Sequence, residues 1–128
     1  MREAHVKTDL RYHFVFCTKY RRRIFTTPIL RESCRETIRQ ICEEHDYRII
    51  RGIVAHDHIH LLLLTHSTDS PSTVMNTIKG ASSHELRKLY PELMSEKALW
   101  ARGFYCATVG KSNESAIQEY LRDHEGRD

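Results

Sequence analysis

The residues His56–Leu64 place the strongest constraint on what this chain can fold into. They are typical of a short buried strand that is entered through a His-Asp turn. Side chains along a strand alternate between two faces, so His58 and His60 lie on the same face of a sheet. That face continues with Leu62 and Leu64, and the opposite face carries Ile59, Leu61 and Leu63.

The two histidines at the start of this strand suggest a metal site. Two imidazoles at neighbouring positions on one face can both reach a single divalent cation, which takes a few nitrogen or oxygen ligands from one side. The alternative is that both are partly buried strand residues, each satisfied by a backbone carbonyl. A His-x-His pair at the mouth of an apolar strand favours the first interpretation, so we predict that His58 and His60 bind a divalent metal.

The composition is that of one soluble globular domain spanning residues 1–128. Hydrophobic residues make up 40% of the 128 residues and charged residues 29%, which is ordinary for such a domain. The formal net charge is +3. This charge is too small to establish a nucleic-acid partner by itself.

The cysteines and the N-terminal residues indicate the cellular compartment in which we expect the protein. The four cysteines show no Cys-x-x-Cys spacing and lie in apolar stretches, so we expect them to be reduced and the protein to be cytoplasmic. The N-terminal residues lack the apolar core of a signal peptide, and no apolar run is long enough to cross a bilayer. We therefore expect no membrane partner.

The hydrophobic pattern predicts the element order β-α-β-β-α-β-(β)-α. In chain order these elements are a strand at 9–18, a helix from Thr27-Pro28 to about His45, a strand at 47–54, the His58 strand, a helix between Pro71 and Pro91, strand pieces around 99–100 and 104–109, and a helix from about Glu114 to His124.

This order implies an α+β protein with a ferredoxin-like antiparallel sheet and helices mainly on one face. The strand of His58 and His60 would be central, and both histidines would project from the other face of the sheet. We expect that face to be free, so that a polymer substrate can lie across it.

A basic run, Lys19–Arg23, follows the first strand and contains one aromatic residue, Tyr20. It is either a solvated loop or a contact to a phosphate backbone. The second interpretation rests on the ability of arginine to bind phosphate in a bidentate manner and of tyrosine to stack on a base.

The last helix carries Tyr120 and His124 one turn apart, with Ile117 and Leu121 holding the helix against the sheet. A tyrosine on an amphipathic helix is commonly a half-buried core residue. A tyrosine can also attack a phosphodiester if a metal offsets the charge that develops on the phosphoryl oxygens. In that interpretation His124 is a third ligand beside His58 and His60.

These residues and their surroundings resemble a known family. His58-Ile59-His60 resembles the His-hydrophobic-His signature of the HUH endonuclease superfamily. Four ordered motifs are similar to the insertion-sequence-200-like single-tyrosine transposases of the TnpA type, and together they cover nearly the whole chain. They are Tyr12–Arg23, Asp57–Leu62, Ile78–Ser83 and Ile117–Leu121.

The resemblance implies a prokaryotic DNA transposase that acts on single strands. Tyr120 would attack the phosphate at a transposon end, form a 5′-phosphotyrosine link and release a 3′-hydroxyl that later rejoins the strand. His58 and His60 would bind Mg²⁺ or Mn²⁺. The expected partners are single-stranded DNA with subterminal hairpins and a second copy of the chain, whose tyrosine helix completes the active site.

Two positions depart from the family pattern, which has Gln four residues after the tyrosine and often Pro at the position of His56. His124 replaces the Gln, which keeps a metal ligand but shifts the preference toward Mn²⁺ or softer ions. His56 is a rival third ligand, although the turn at His56-Asp57 breaks the strand alternation. The expected DNA-binding residues are Lys19, Arg21, Arg22, Arg23 and Lys79.

Other functions stay open at this point. The same sheet face could belong to a non-catalytic module that binds single strands or hairpins, with structural histidines. A small metal-binding or metal-storage protein is disfavoured because the chain has no paired cysteine ligands. Within the transposase interpretation, a domesticated relative that acts on repeat hairpins is an alternative to the enzyme of a mobile element.

Overall fold

The computed structural model describes residues 9–66, 68–93 and 98–124. No helix among these residues is long and apolar enough to span a membrane. The helices and strands in chain order are β1 (Asp9–Cys17), α1 (Pro28–Glu44), β2 (Arg48–Val54), β3 (His58–His66), α2 (Pro71–Leu89), β4 (Tyr105–Val109) and α3 (Lys111–His124).

The described strands form one sheet in the order β2-β3-β1-β4, and each neighbouring pair is antiparallel. This is the ferredoxin-like arrangement, in which two β-α-β units interlock. The predicted fold class is therefore confirmed. Strands β2 and β3 form an antiparallel hairpin. Because β1 and β2 flank β3, the strand that carries His58 and His60 is central, as expected.

The main core lies between one face of the sheet and helices α1 and α2. Alternate side chains of β1 and β3 point into it, as the period of two requires. The sheet contributes Tyr12, Phe14, Phe16, Ile59, Leu61 and Leu63, and the helices contribute Cys34, Ile38, Val74, Met75, Ile78 and Leu86, among others. The four cysteines are free thiols, two of them buried in α1.

The opposite face of the sheet is covered in part by α3. Leu121 is fully buried against Ile53, Leu62 and Val109 of three different strands. An ion pair of 2.5 Å from Arg11 Nε to Glu114 Oε1 also joins β1 to α3. The prediction of a free face is therefore wrong at the Leu62 end. The physical reason is that this apolar patch gains more by burial under Leu121 than by exposure to water.

Two predicted elements also differ in the structure. The residues around Leu99 and Trp100 do not form a strand; instead Trp100 makes a single β-bridge to Thr18 and packs its indole on Phe16, with ring centroids 4.8 Å apart. Helix α3 begins at Lys111 rather than near Glu114. The beginning of α1 is as predicted, since the Thr27 side chain accepts a hydrogen bond from the Leu30 amide.

The buried hydrogen bond from Trp100 Nε1 to Ser82 Oγ, 2.9 Å long, generates a stability prediction. Ser82→Ala leaves the indole N–H without this acceptor in the core, which should cost about 1–3 kcal/mol of unfolding free energy. Urea denaturation measures the change. Ser72→Ala, at an exposed position of the same helix, is the matched control and should change stability by less than about 0.5 kcal/mol. Equal effects of the two substitutions would contradict the role of this bond.

Candidate active site

The paired histidines lie at the first residues of β3, where the strand leaves the turn at His56-Asp57. Their ring centroids are 5.0 Å apart and their planes are nearly perpendicular. His58 is 25% exposed and His60 is half-buried. The strand alternation therefore brings the two imidazoles together on the face opposite the main core.

Each of these histidines uses Nδ1 for a hydrogen bond within the protein. His58 Nδ1 donates to Asp57 Oδ1 over 2.8 Å. His60 Nδ1 is hydrogen-bonded to His13 Nε2 over 3.1 Å. In both rings Nε2 is the nitrogen left out of these bonds. A partner on one ring nitrogen is how proteins orient a histidine whose other nitrogen binds a metal.

His13 is a site residue that the sequence interpretation missed. It lies on β1, is buried, and stacks on His60 with ring centroids 5.4 Å apart and planes within 16°. Burial lowers the pKa of His13. The alternation of β1 holds a signal for this placement, because His13 must point away from the core side chains Tyr12 and Phe14.

The pKa of His60 is lowered to about 4. Burial is the largest cause, followed by the charges of His58, His13 and His124. His60 is consequently neutral at ordinary pH, which is the form in which imidazole binds a metal. The contribution of His124 also means that α3 brings this residue within electrostatic reach of His60.

Asp57 links the basic run to the histidines. Arg21 donates to both carboxylate oxygens of Asp57, from Nε and Nη2 over 3.3 Å each. Burial acts to raise the pKa of Asp57, but the hydrogen bonds from His58 and Arg21 and their charges outweigh it and hold the pKa below its usual value. The carboxylate therefore stays ionised and can orient His58.

The basic run Lys19–Arg23 is a loop with a defined conformation that hydrogen bonds stabilise. The Thr18 amide bonds to the Asp57 carbonyl over 2.9 Å, and the Thr18 hydroxyl donates to the Arg22 carbonyl over 2.6 Å. Tyr20 has φ of 58° and Arg21 has φ of 52°, a left-handed conformation that bulky residues rarely adopt.

The Tyr20 ring in this loop is 73% exposed. The Lys19 ammonium lies 5.3 Å and the Arg22 guanidinium 5.7 Å from its centroid. An exposed aromatic face flanked by cations suits a nucleic-acid strand, which offers stacking bases and phosphates together.

Two other cationic residues of the predicted DNA-binding set are held by the protein. Arg23 donates from Nη2 to His56 Nδ1. Lys79 donates to the carbonyls of Ala101 and Gly103 over 2.7 and 3.0 Å, so it fixes the segment before β4. A phosphate at Lys79 would have to compete with these two carbonyls.

Helix α3 presents the predicted nucleophile at the surface. Tyr120 is 49% exposed, whereas its neighbour Leu121 is fully buried. The rings of Tyr120 and His124 lie 4.1 Å apart, and His124 Nδ1 donates to the Tyr120 carbonyl over 2.8 Å. His124 thus resembles His58 and His60 in having Nε2 left out of its protein hydrogen bond. The exposure of Tyr120 argues against a core role.

The donor set fits a divalent metal at the His58-His60 pair, although a third ligand is not in place. Among the described residues no three His, Cys, Asp or Glu side chains converge closely enough to hold an ion. The bond from Arg23 requires a lone pair on Nδ1 of His56, which puts the proton of a neutral ring on Nε2. His56 then has no free lone pair, so His124 is the better candidate.

Comparisons with known proteins identify the class. The family model described as "Transposase IS200 like" matches residues 6–124. The chain belongs to this family of IS200-like transposases, and its general function is that of a DNA transposase. The resemblance drawn from the sequence motifs is confirmed.

Individual relatives are similar over most of their length. The transposase for insertion sequence element IS200 of Salmonella typhimurium is 36% identical over 122 residues, which are 93% of this chain and 79% of the relative. The ISDra2 transposase TnpA of Deinococcus radiodurans is 27% identical over 124 residues, or 94% and 87% of the two chains.

Solved structures share the fold. A crystal structure of a Deinococcus radiodurans protein assigned as a transposase superposes with a TM-score of 0.74 at 22% identity, covering 98% of this chain and 96% of that one. A REP-associated tyrosine transposase bound to a REP hairpin has a TM-score of 0.61 at 17% identity, covering 94% and 67%.

The lowered pKa of His60 generates a prediction for the metal-free protein. The folded state disfavours the protonated ring, so the unfolded chain takes up its proton first as pH falls from 6.5 toward about 4. The stabilising contribution of the neutral ring is therefore present above pH 6.5 and lost across that window. An NMR titration of the His60 ring should give a midpoint near 4, moved upward in His124→Gln. A midpoint near 6.5 would contradict the burial of this ring.

Proposed function

We propose that this transposase cuts and rejoins single-stranded DNA through a covalent bond between Tyr120 and a 5′-phosphate. The observation that carries the proposal is a hydrogen-bonding pattern that His58, His60 and His124 share. Each uses Nδ1 within the protein and leaves Nε2 out of that bond, and the third lies one turn from an exposed tyrosine.

The chemical step transfers a phosphoryl group. Tyr120 Oη bonds to phosphorus and loses its proton to solvent. The bond from phosphorus to the 3′ oxygen breaks, and that oxygen takes up a proton from solvent and leaves as a hydroxyl. In rejoining, a 3′-hydroxyl attacks a phosphotyrosine and releases the phenol. No nucleotide cofactor is consumed, because the energy of each phosphodiester is conserved in the tyrosyl ester.

His58 and His60 are proposed to hold Mg²⁺ or Mn²⁺, with His124 as the third ligand. The bound ion supplies positive charge that offsets the charge on the phosphoryl oxygens. Asp57 orients His58 for this task. An imidazole at position 124 is a softer donor than an amide oxygen, so the preference shifts toward Mn²⁺.

The proposal includes a homodimer, which the sequence resemblance implies. Within one chain, Leu121 packs α3 on the sheet that carries His58 and His60, yet the histidines do not converge among the described residues. Either a shift of α3 on its own sheet or the α3 of a second chain would bring His124 to the pair.

Single-stranded DNA with hairpins is the proposed partner. Tyr20 offers a stacking face, and Lys19 and Arg22 offer positive charge beside it. Arg23 adds positive charge in the same run. Arg21 has a second task, since its guanidinium holds Asp57. The hairpin bound to the structural relative supports a hairpin partner here.

The proposed nucleophile is tested with Tyr120→Phe. This variant should form no covalent adduct with labelled single-stranded DNA in the presence of Mn²⁺, and it should bind the same DNA with nearly unchanged affinity, since only one oxygen is removed. A denaturing gel measures the adduct. His58→Ala should likewise form no adduct, because it removes a metal ligand.

Tyr105→Phe is the matched control for this experiment, since Tyr105 is also exposed and lies on the histidine face beside His13. It should retain the adduct. An adduct in Tyr120→Phe would place the nucleophile elsewhere. Hairpin binding by the wild type without any adduct would instead identify a non-catalytic binding module.

The basic run is tested by the salt dependence of DNA binding. Changing Arg21, Arg22 and Arg23 to Gln together should weaken binding of all single strands and reduce the slope of log K against log salt by about 0.7 for each phosphate that the loop no longer neutralises. Changing Arg35, Arg39 and Lys88 to Gln removes the same charge from helices on the other side of the sheet and should leave the slope nearly unaltered. If the two triple variants have equal slopes, the run is only a solvated loop.

A further inference from the structure

We propose that His13 is a positioning residue for the metal site: it holds the His60 ring in the tautomer and orientation that direct Nε2 toward the ion. The inference rests on the proposed function, because it requires His60 to be a ligand. It adds a residue on a different strand to the machinery of the site.

The antiparallel pairing of β1 with β3 brings the two rings together. In the register, His13 is opposite Leu62 and Val15 is opposite His60, so His13 is the diagonal neighbour of His60 on one face. Diagonal neighbours are within reach of aromatic side chains. The two rings are stacked 5.4 Å apart with Nε2 of His13 at 3.1 Å from Nδ1 of His60.

The position of the His13 ring is itself fixed. It is 8% exposed, and its other neighbour is the Tyr105 ring of β4, at a centroid distance of 5.9 Å and an angle of 75°. A ring packed in this way has little rotational freedom. It can therefore determine the orientation of the more exposed His60.

The bond can form with either nitrogen as the donor, and the proposal assigns the direction that leaves a lone pair on His60 Nε2 for the ion. When His60 Nδ1–H donates to His13 Nε2, the lone pair of His60 lies on Nε2, and His13 carries its proton on Nδ1. The carboxylate of Asp57 imposes the same tautomer on His58. The two proposed strand ligands are thus oriented by two different partners, one from the preceding residue and one from β1.

Three substitutions separate this role from simple packing. In His13→Gln the amide oxygen reaches roughly where Nε2 was and can accept from His60. In His13→Asn the same amide is one methylene too short, and in His13→Phe the ring shape is kept without an acceptor. A packing role predicts that Phe is the best replacement, whereas a positioning role predicts that Gln is.

The first readout is the affinity for Mn²⁺ alone, measured by titration calorimetry on the full chain without DNA, with melting temperatures recorded in parallel. His13→Phe and His13→Asn should weaken binding by about 10- to 100-fold, the range for loss of such a partner, and His13→Gln should restore most of the affinity. Equal affinity in the wild type and His13→Phe would overturn the role of His13. Failure of the wild type to bind Mn²⁺ would instead overturn the proposed metal site.

A second readout needs no variant, so it stands even if a substitution prevents folding. Nitrogen-15 NMR of the wild-type, metal-free protein at neutral pH distinguishes the two tautomers of His60. The proton is expected on Nδ1. A proton on Nε2 would overturn the proposed orientation, whatever the metal affinity.

Discussion

The antiparallel pairing of β1 with β3 is the interaction on which the rest of this structure depends. On one face it brings Phe14 beside Leu61 in the main core, and on the other it brings His13 beside His60. At the end of the pair, the basic run that follows β1 meets the turn that precedes β3. A slip of one residue would send every side chain of a strand to the wrong face. The core and the candidate site therefore depend on the same residue register between β1 and β3.

Much of the fold could be predicted from the sequence because it follows from local periodicity. The alternation of side chains between two faces predicted β1 and β3, and a Thr-Pro pair predicted the beginning of α1. The His58-Ile59-His60 spacing placed both imidazoles on one face without any knowledge of the tertiary structure. What could not be predicted is non-local. Alternation states that His13 points away from the core, but not that β1 pairs with β3 in the register that puts it on His60.

The same limit explains the other differences between prediction and structure. The sequence showed an apolar stripe on α3. Its burial of Leu62 depends on apolar residues of three strands that form one patch under Leu121. Arg21 was expected to contact phosphate, and its bond to Asp57 spans 36 residues of chain. The choice of ring nitrogen is also invisible in a sequence, because it is made by partners such as Asp57 and the Tyr120 carbonyl.

The left-handed backbone at Tyr20 and Arg21 has a consequence for engineering this protein. Each such residue costs about 1–3 kcal/mol relative to a relaxed conformation, and glycine would relieve that cost. A procedure that ranks substitutions by stability alone would therefore select glycine at position 20 and delete an aromatic face that is 73% exposed. Under the proposed stacking role of Tyr20, stability and nucleic-acid binding are in conflict at this loop, and the sequence has the less stable residue.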